Sequence, residues 1–367
     1  MKIRRVHVHR FSIPLRSPFR IAIGELREAP EVLVRLECED GAIGLGEAGP
    51  FPVLTGETQA TTLALARELA PLCLGRDPRE LEALLRTLHA AAPGNPSLLA
   101  AFDLALHDLA ARAAGEPLWR FLGGSGTSLE TDQTIPIAEP HAMLVAARAA
   151  LEAGFRALKI KIGGKPLAED LELVARLREA LGPQVQLRLD ANQGWDVPTA
   201  RLALRELAAH APQFVEQPVP RADRRGLAQL RREGAVPLMA DEACFDAHDA
   251  LELARLEAAD YWNVKLMKAG GIRAALRILR IAEAAGIRCM VGCMLESKIA
   301  ITAAACVAAA SSAVAFQDLD GCTFHSVDPC RGGVRAEGAL LHLPETPGLG
   351  VDVDPAFLAR CDSFHVA

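Results

Sequence analysis

The feature that most limits what this chain can fold into is a beat. From about residue 130, short apolar runs that end in a polar residue alternate with helical stretches. The runs are ETDQTIPI, FRALKIK, VQLRLD, QFVEQ, VPLMAD, YWNVK, IRCMV and SAVAFQD. Between them lie stretches such as LAEDLELVARLREALG and IRAALRILRIAEAAG. Lys161, Asp190, Glu216, Asp241, Lys265 and Asp318 end six of the runs and fall 29, 26, 25, 24 and 53 residues apart, the last interval spanning two units. A strand–helix unit of about 26 residues, repeated seven or eight times, is the pattern of a parallel (β/α) barrel. An open doubly wound sheet carries the same beat. No GxGxxG or GxxxxGK(S/T) follows the first strand, however, and GGSG at 123–126 lacks the spacing of a phosphate loop.

The residues before the beat read differently. Within the first 55, strands and turns dominate, and VLVRLECEDG alternates apolar and polar residues into a D-G hairpin turn. Over 57–114 the period changes to three and four, which predicts three helices. That is an α+β domain, and LGGSGTS at 122–128 marks its end. A length of 367 residues accommodates a barrel plus such an accessory domain.

Composition removes several function classes. Half the residues are hydrophobic, which excludes disorder, and 40 basic against 46 acidic residues argues against nucleic-acid or anionic-membrane binding. Residues 1–20 hold no sustained apolar run and 301–316 are too short to span a bilayer. Nine scattered cysteines without a CxxC fit a reduced, cytoplasmic chain.

The basic residues are 33 Arg and only 7 Lys, and five of the lysines cluster in FRALKIKIGGK and YWNVKLMKAGG. Arg stays protonated, whereas Lys can give up its proton. In a barrel these lysines meet Asp190 with Asn192, Glu216, Asp241 with Glu242, and Asp318 with Asp320 at the C-terminal mouth. Any one of these is most simply a wet loop residue. Three successive apolar runs each ending in a carboxylate are harder to dismiss, because converging carboxylates repel unless a cation sits among them. Oxygen-only ligands select a hard ion such as Mg²⁺. Lys159 and Lys161 share one strand face, so their mutual repulsion is expected to lower at least one pKa towards that of a general base. Lys265 arrives from the opposite side. Lysines flanking a cation suit removal of a proton α to a carboxylate, with the opposite lysine returning it to the enediolate.

At these residues the chain resembles the enolase superfamily, in its muconate-lactonising-enzyme subgroup. The resemblance rests on KIK at 159–161, DAN at 190–192, EQP at 216–218, DE at 241–242, NVKLMKAGG at 263–271 and the hinge-like FDLALHDLAARAAGEPLWRFLGG at 102–124. It implies a modified (β/α)7β TIM barrel over 125–320. An N-terminal capping domain over 1–124 would be completed by the tail 321–367. It further implies one Mg²⁺ per active site on Asp190, Glu216 and Asp241, with Lys161 and Lys265 as the acid/base pair and Lys159 tuning Lys161. Asn192, Glu242 and Lys268 would stand behind the ligands.

Asp318-Leu319-Asp320 resembles the pair with which dipeptide epimerases hold a substrate α-ammonium. With it, Glu296, Ser297 and Thr134 are expected to contact a dipeptide. Sister functions are o-succinylbenzoate synthase, N-acylamino acid racemase and cycloisomerase, whose substrates carry no α-ammonium. A Schiff-base aldolase needs no metal carboxylates, and a mere binding protein needs no opposed lysines. Specificity is expected from the loops PFRIAIGEL at 18–26 and GPFPVLTGET at 49–58. Phe51, Pro52, Val53 and Leu54 make the second loop apolar, and only Arg16 or Arg20 offers a charge for an acidic side chain near the first. The reading is therefore epimerisation of dipeptides with an apolar second residue, by a homo-oligomer without nucleic-acid or membrane partners.

Overall fold

The computed structural model describes all 367 residues. Eight parallel strands run Gln133–Ile135, Ala157–Lys161, Gln186–Asp190, Phe214–Glu216, Leu238–Ala240, Tyr261–Lys265, Arg288–Gly292 and Val314–Asp318. Called here barrel strands one to eight, they lie within the eight runs picked out by the beat, the seventh reaching one residue further, to Gly292. Each pairs with the next in chain order. At the seam, Asp132 N donates to Gln317 O at 3.2 Å, between the approach to strand one and strand eight. The fold is thus a nearly closed barrel with a separate N-terminal sheet domain.

Register, rather than strand identity alone, assembles the mouth. Lys161 lies beside Asp190, and Asp190 beside Glu216. On the other side Lys265 lies beside Gly292, and Gly292 beside Asp318. Side chains alternate along a strand, so Lys159 and Lys161 point the same way. The opposite end is plugged by buried Phe214, Met239 and Met290, with Tyr261 and Phe316 packed against them.

The N-terminal domain is an antiparallel sheet of β1 (Ile3–Ile21), β2 (Gly24–Cys38) and β3 (Ile43–Ala48), with the C-terminal strand Ser363–Val366 on the outer edge of β1. The expected D-G turn joins β2 to β3, with Gly41 at φ +82°. The three expected helices are Gln59–Leu69, Leu81–Ala91 and Pro96–Ala114. One feature read only as loop is a single helical turn at Pro52–Thr55, started by Pro52 and stopped by left-handed Gly56.

Helix Pro96–Ala114 lies directly on β3. A Cβ at Gly44 or Gly46 would collide with the carbonyl of Ala105 or Ala101, so the two glycines set how closely strand and helix approach.

This domain is fastened to the barrel by buried carboxylates at helix N-termini, where free N–H groups and the helix dipole favour an anion. Asp103 accepts from Ile272 N at 2.7 Å and Arg273 N at 3.3 Å, opening helix Ile272–Ala285. Glu47 accepts from Ser297 N at 2.8 Å, Ser297 Oγ at 2.7 Å and Ala300 N at 3.1 Å, at the start of helix Lys298–Ala309. All nine cysteines are free thiols, and no helix is long and apolar enough to cross a membrane.

Candidate active site

The mouth brings the strand-end charges together. One oxygen from each of Asp190, Glu216 and Asp241 lies within 4.8 Å of the others, and all three residues are buried. Lys161 Nζ is 2.6 Å from Asp190 Oδ2. Lys159 Nζ reaches the same oxygen at 3.2 Å, Glu216 Oε2 at 2.9 Å and Asp318 Oδ2 at 2.7 Å. From the opposite side Lys265 Nζ lies 3.0 Å from Asp241 Oδ2.

Glu216 Oε2 and Asp241 Oδ2 face these ammonium groups without a hydrogen-bonding geometry and have no other partner. Two orphaned carboxylate oxygens in an all-oxygen donor set fit a hard divalent cation. Glu216 is pushed up to about 7 by burial and then by Asp190, despite Lys159. That is the response of a carboxylate set held too close for its own charge.

The carboxylates set the charge of Lys159 and Lys265. Burial opposes the charge of Lys159, but Asp318, Glu216 and Asp190 together raise its pKa well above the ordinary value. Lys265 is likewise raised, with Asp241 outweighing burial. Carboxylates surround each ammonium, so lysine–lysine repulsion does not decide the outcome.

The residues expected behind the ligands are there. Lys268 Nζ donates to Asp241 Oδ1 at 2.5 Å, to Asn263 O at 3.0 Å and to Cys244 O at 3.1 Å. Asn192 Nδ2 donates to Glu242 Oε1 at 3.1 Å, while its Oδ1 accepts from Lys161 Nζ at 3.3 Å. Gln217 was missed. Its Oε1 accepts from Asp241 N and Ala243 N, both at 3.0 Å, tying the fourth barrel strand's end to the fifth's. Asn192 and Gln217 both sit at positive φ, +39° and +36°, directly downstream of Asp190 and Glu216. Strained non-glycine backbone of this kind concentrates at functional sites.

Beside the carboxylates, Asp320 Oδ2 accepts from Thr134 N at 2.6 Å and from Gln133 Nε2 at 2.9 Å. Thr134 Oγ1 is 3.3 Å from Asp318 Oδ1. Although burial opposes it, Lys159 holds Asp318 down at about 2. At Asp320 burial and Asp318 outweigh Thr134 and Lys159 and push it up to about 7.

Lys161, Lys265, Asp241, Asp318, Asp320 and Thr134 line one cavity. Its far wall comes from the N-terminal domain. Phe19, Ile21, Ile23 and Leu26 descend from the β1–β2 hairpin, and Phe51 and Leu54 from the next loop.

Several expectations need correcting here. Pro52 and Val53 do not line the cavity, because the helical turn carries Val53 outward, leaving it 56% exposed. Ser297 does not line it either; its side chain is held by Glu47. Glu296 is turned back, its Oε2 accepting from Met294 N at 2.6 Å, so Cys293, Met294 and Leu295 form that part of the wall instead. Arg16 donates to His325 O at 2.8 Å and Arg20 pairs with Glu25 at 2.6 Å, so neither offers its charge to the cavity. Glu31 lines the cavity and was missed entirely. Only its place in an alternating strand could have hinted that it points inward.

A barrel whose mouth gathers three carboxylates and lysines from opposite strands, under a preceding α+β domain, is an architecture shared by a class of known proteins. The chain belongs to the mandelate racemase / muconate lactonizing enzyme family of the enolase superfamily. Residues 3–123 match that family's N-terminal domain, and residues 142–357 match the enolase C-terminal domain-like family. The chain is 42% identical to a hydrophobic dipeptide epimerase of Enterococcus faecalis, covering 96% of this chain and 99% of that one. It is 39% identical to an L-Ala-D/L-Glu epimerase of Bacillus subtilis, covering 96% and 97%. Its structure superposes on a dipeptide epimerase from Cytophaga hutchinsonii, complexed with Mg and D-Ala-L-Val, with a TM-score of 0.97 and 36% identity over the whole of both chains.

Proposed function

We propose that this protein is an isomerase, a Mg²⁺-dependent dipeptide epimerase acting at the Cα of the second residue, with a preference for apolar second side chains. The observation that carries the reading is that Lys161 and Lys265, from barrel strands two and six, line the same cavity as Asp318 and Asp320. Asp190, Glu216 and Asp241 would hold the metal, which when bound draws charge from a substrate carboxylate and so acidifies the adjacent carbon.

The protein's own groups do the rest. Lys161 and Lys265 address opposite faces of the reacting carbon: for one epimer the first takes the proton and the second returns one, and for the other epimer the roles exchange. Lys159, fixed by Asp190, Glu216 and Asp318, is a positioning residue for Lys161 through their shared partner Asp190. Asp318 and Asp320 would receive the free α-ammonium of the first residue, with Thr134 holding both carboxyl groups in place. The apolar preference is supported by Phe19, Ile21, Leu26, Phe51 and Leu54 on the cap wall and by the absence of a cavity-facing arginine there.

The test is incubation with a dipeptide library in D₂O, with and without EDTA. The expected result is a one-dalton mass gain on free dipeptides that EDTA abolishes and Mg²⁺ restores. Turnover of N-acylated amino acids in preference to every free dipeptide would assign the sister activity instead.

A further inference from the structure

Glu31 is the one cavity-lining charge on the cap side that the reaction does not use. It lies on β2, 2% exposed, and its Oε2 has no hydrogen-bond partner. Gly49 faces it. A Cβ at position 49 would sit 2.8 Å from Glu31 Oε2 and 3.2 Å from Glu296 Cγ, so the glycine keeps open the space the carboxyl occupies.

We propose that Glu31 is a specificity-determining residue of the proposed dipeptide site. There it acts as a neutral carboxylic acid that exchanges hydrogen bonds with a hydroxyl or amide group at the far end of the substrate's second side chain. The favoured substrate class is thus a dipeptide whose second side chain is apolar along its length and closed by a neutral polar group, as in tyrosine.

The geometry runs as follows. In a planar enediolate the two lysines occupy the faces, so the three substituents of the reacting carbon lie in one plane. One is the carboxylate, directed at Asp190, Glu216 and Asp241. The second is the peptide nitrogen, directed towards Asp318 and Asp320. The third, the side chain, is left to leave for the cap. There it passes Phe19, Ile21, Leu26 and Phe51, and the only ionisable group on that wall is Glu31.

The protonation state follows from the neighbours. Glu47 receives three donors from Ser297 and Ala300. Glu296 receives Met294 N. Glu31 receives none, and burial together with those two carboxyl groups raises its pKa well above the ordinary range. A carboxyl that is acid at neutral pH offers one O–H donor and an accepting oxygen. An ammonium would fit less well: it brings three N–H donors, and Glu31 alone is free to receive them, the rest of that wall being apolar.

The reading rests on the dipeptide assignment, and its test separates the two. Turnover and, by calorimetry with Mg²⁺, binding would be measured for L-Ala-L-Tyr and L-Ala-L-Phe on wild type, Glu31→Gln and Glu31→Leu. One neutral hydrogen bond predicts roughly a fivefold to tenfold preference for the tyrosyl dipeptide in the wild type. Glu31→Gln retains it, since an amide also donates and accepts, whereas Glu31→Leu brings the ratio to about one. Glu31→Leu is also expected to unfold at or above the wild-type temperature, because it removes a buried group without a partner. A merely structural role would lower that temperature and leave the ratio alone.

A wild-type preference for phenylalanine, or a tyrosine preference that survives Glu31→Leu, overturns the inference while leaving the epimerase reading intact. So does a superior L-Ala-L-Lys that collapses in Glu31→Gln, which would make Glu31 a charged partner. Tight, tyrosine-selective binding without deuterium exchange would uphold the inference and sink the epimerase reading. Should Glu31→Leu fail to fold, Glu31→Ala is read by the same ratio, with the same outcomes deciding.

Discussion

At the barrel end of the cavity, opposite charges stand side by side: Lys159 touches three carboxylates, Lys161 one, and Asp241 stands between Lys265 and Lys268. At the cap end the wall is apolar, and Glu31 is its one ionisable group. The barrel end is built on parallel strands whose aligned register fixes each group relative to the next. The cap end is built on a hairpin tip and a helical turn. The contrast teaches where each property resides. Chemistry that tolerates little displacement sits on the repeating scaffold, and side-chain choice sits on segments that change without disturbing it.

If that division is right, the largest losses come from the barrel end. Lys161→Ala and Lys265→Ala should each lower net epimerisation by about 10²- to 10⁴-fold, the range for losing a general acid–base group. Each should still exchange the α-proton of one epimer with solvent, a different epimer for each variant, read by NMR in D₂O. Wild-type epimerisation by Lys265→Ala would break the two-base assignment.

Asp320→Asn comes next. A charge-assisted hydrogen bond contributes roughly 1.5–3 kcal/mol, so kcat/KM for free dipeptides should fall about ten- to hundredfold. Residual activity on N-acetylated amino acids should barely change, and an equal loss on both would show that the residue supports the loop and not the ammonium.

The junction between the two ends gives a smaller effect. Glu47→Gln weakens a cap on helix Lys298–Ala309 and should cost about 1 kcal/mol, read as a lower Tm at pH 5. Burial holds Glu47 up at about 7, above its ordinary 4.5, so folding takes up a proton between those values. Its contribution is complete below about 4.5 and is lost as pH rises through 7. The Tm deficit of the non-titrating glutamine variant should therefore shrink between pH 5 and pH 8. A deficit that widens would mean the ionised cap is the stabilising form.

The smallest effect is Arg20→Ala, expected to leave kcat/KM within about twofold for apolar dipeptides, because that guanidinium is 57% exposed and already paired with Glu25. Selective loss on acidic dipeptides would return the arginine to the site.

The same contrast explains what could be read from the sequence. Lys159, Lys161, Asp190, Glu216, Asp241, Lys265 and Asp318 were legible because each closes an apolar run, and in a barrel such ends share one mouth. Thr134 and Lys268 do not close runs and came with the family resemblance instead. Glu296 and Ser297 were misplaced because a strand end says nothing about which way the next turn folds. Here Glu47, some 250 residues upstream, captures Ser297. Glu31 and Gln217 were silent for a related reason. One lies on a cap strand whose inward face is defined only when the cap docks, and the other acts through an amide that no charge pattern marks.

The placement of the buried carboxylates also bears on motion. Asp103 and Glu47 grip the helices that follow barrel strands six and seven, so the cap is latched on one side of the mouth. On the other side the β1–β2 hairpin is held by Ile137 N on Arg20 O at 2.9 Å, by Ser326 N on Pro14 O at 2.8 Å and by Arg16 on His325 O at 2.8 Å. The two attachments differ in kind: buried carboxylates on helix ends beside residues 272 and 297, and bonds to loop backbone along the hairpin. In amide hydrogen exchange, Ile272, Ser297 and Ala300 should stay protected whether or not a ligand is bound, while Ile137 gains protection only when the cavity is filled.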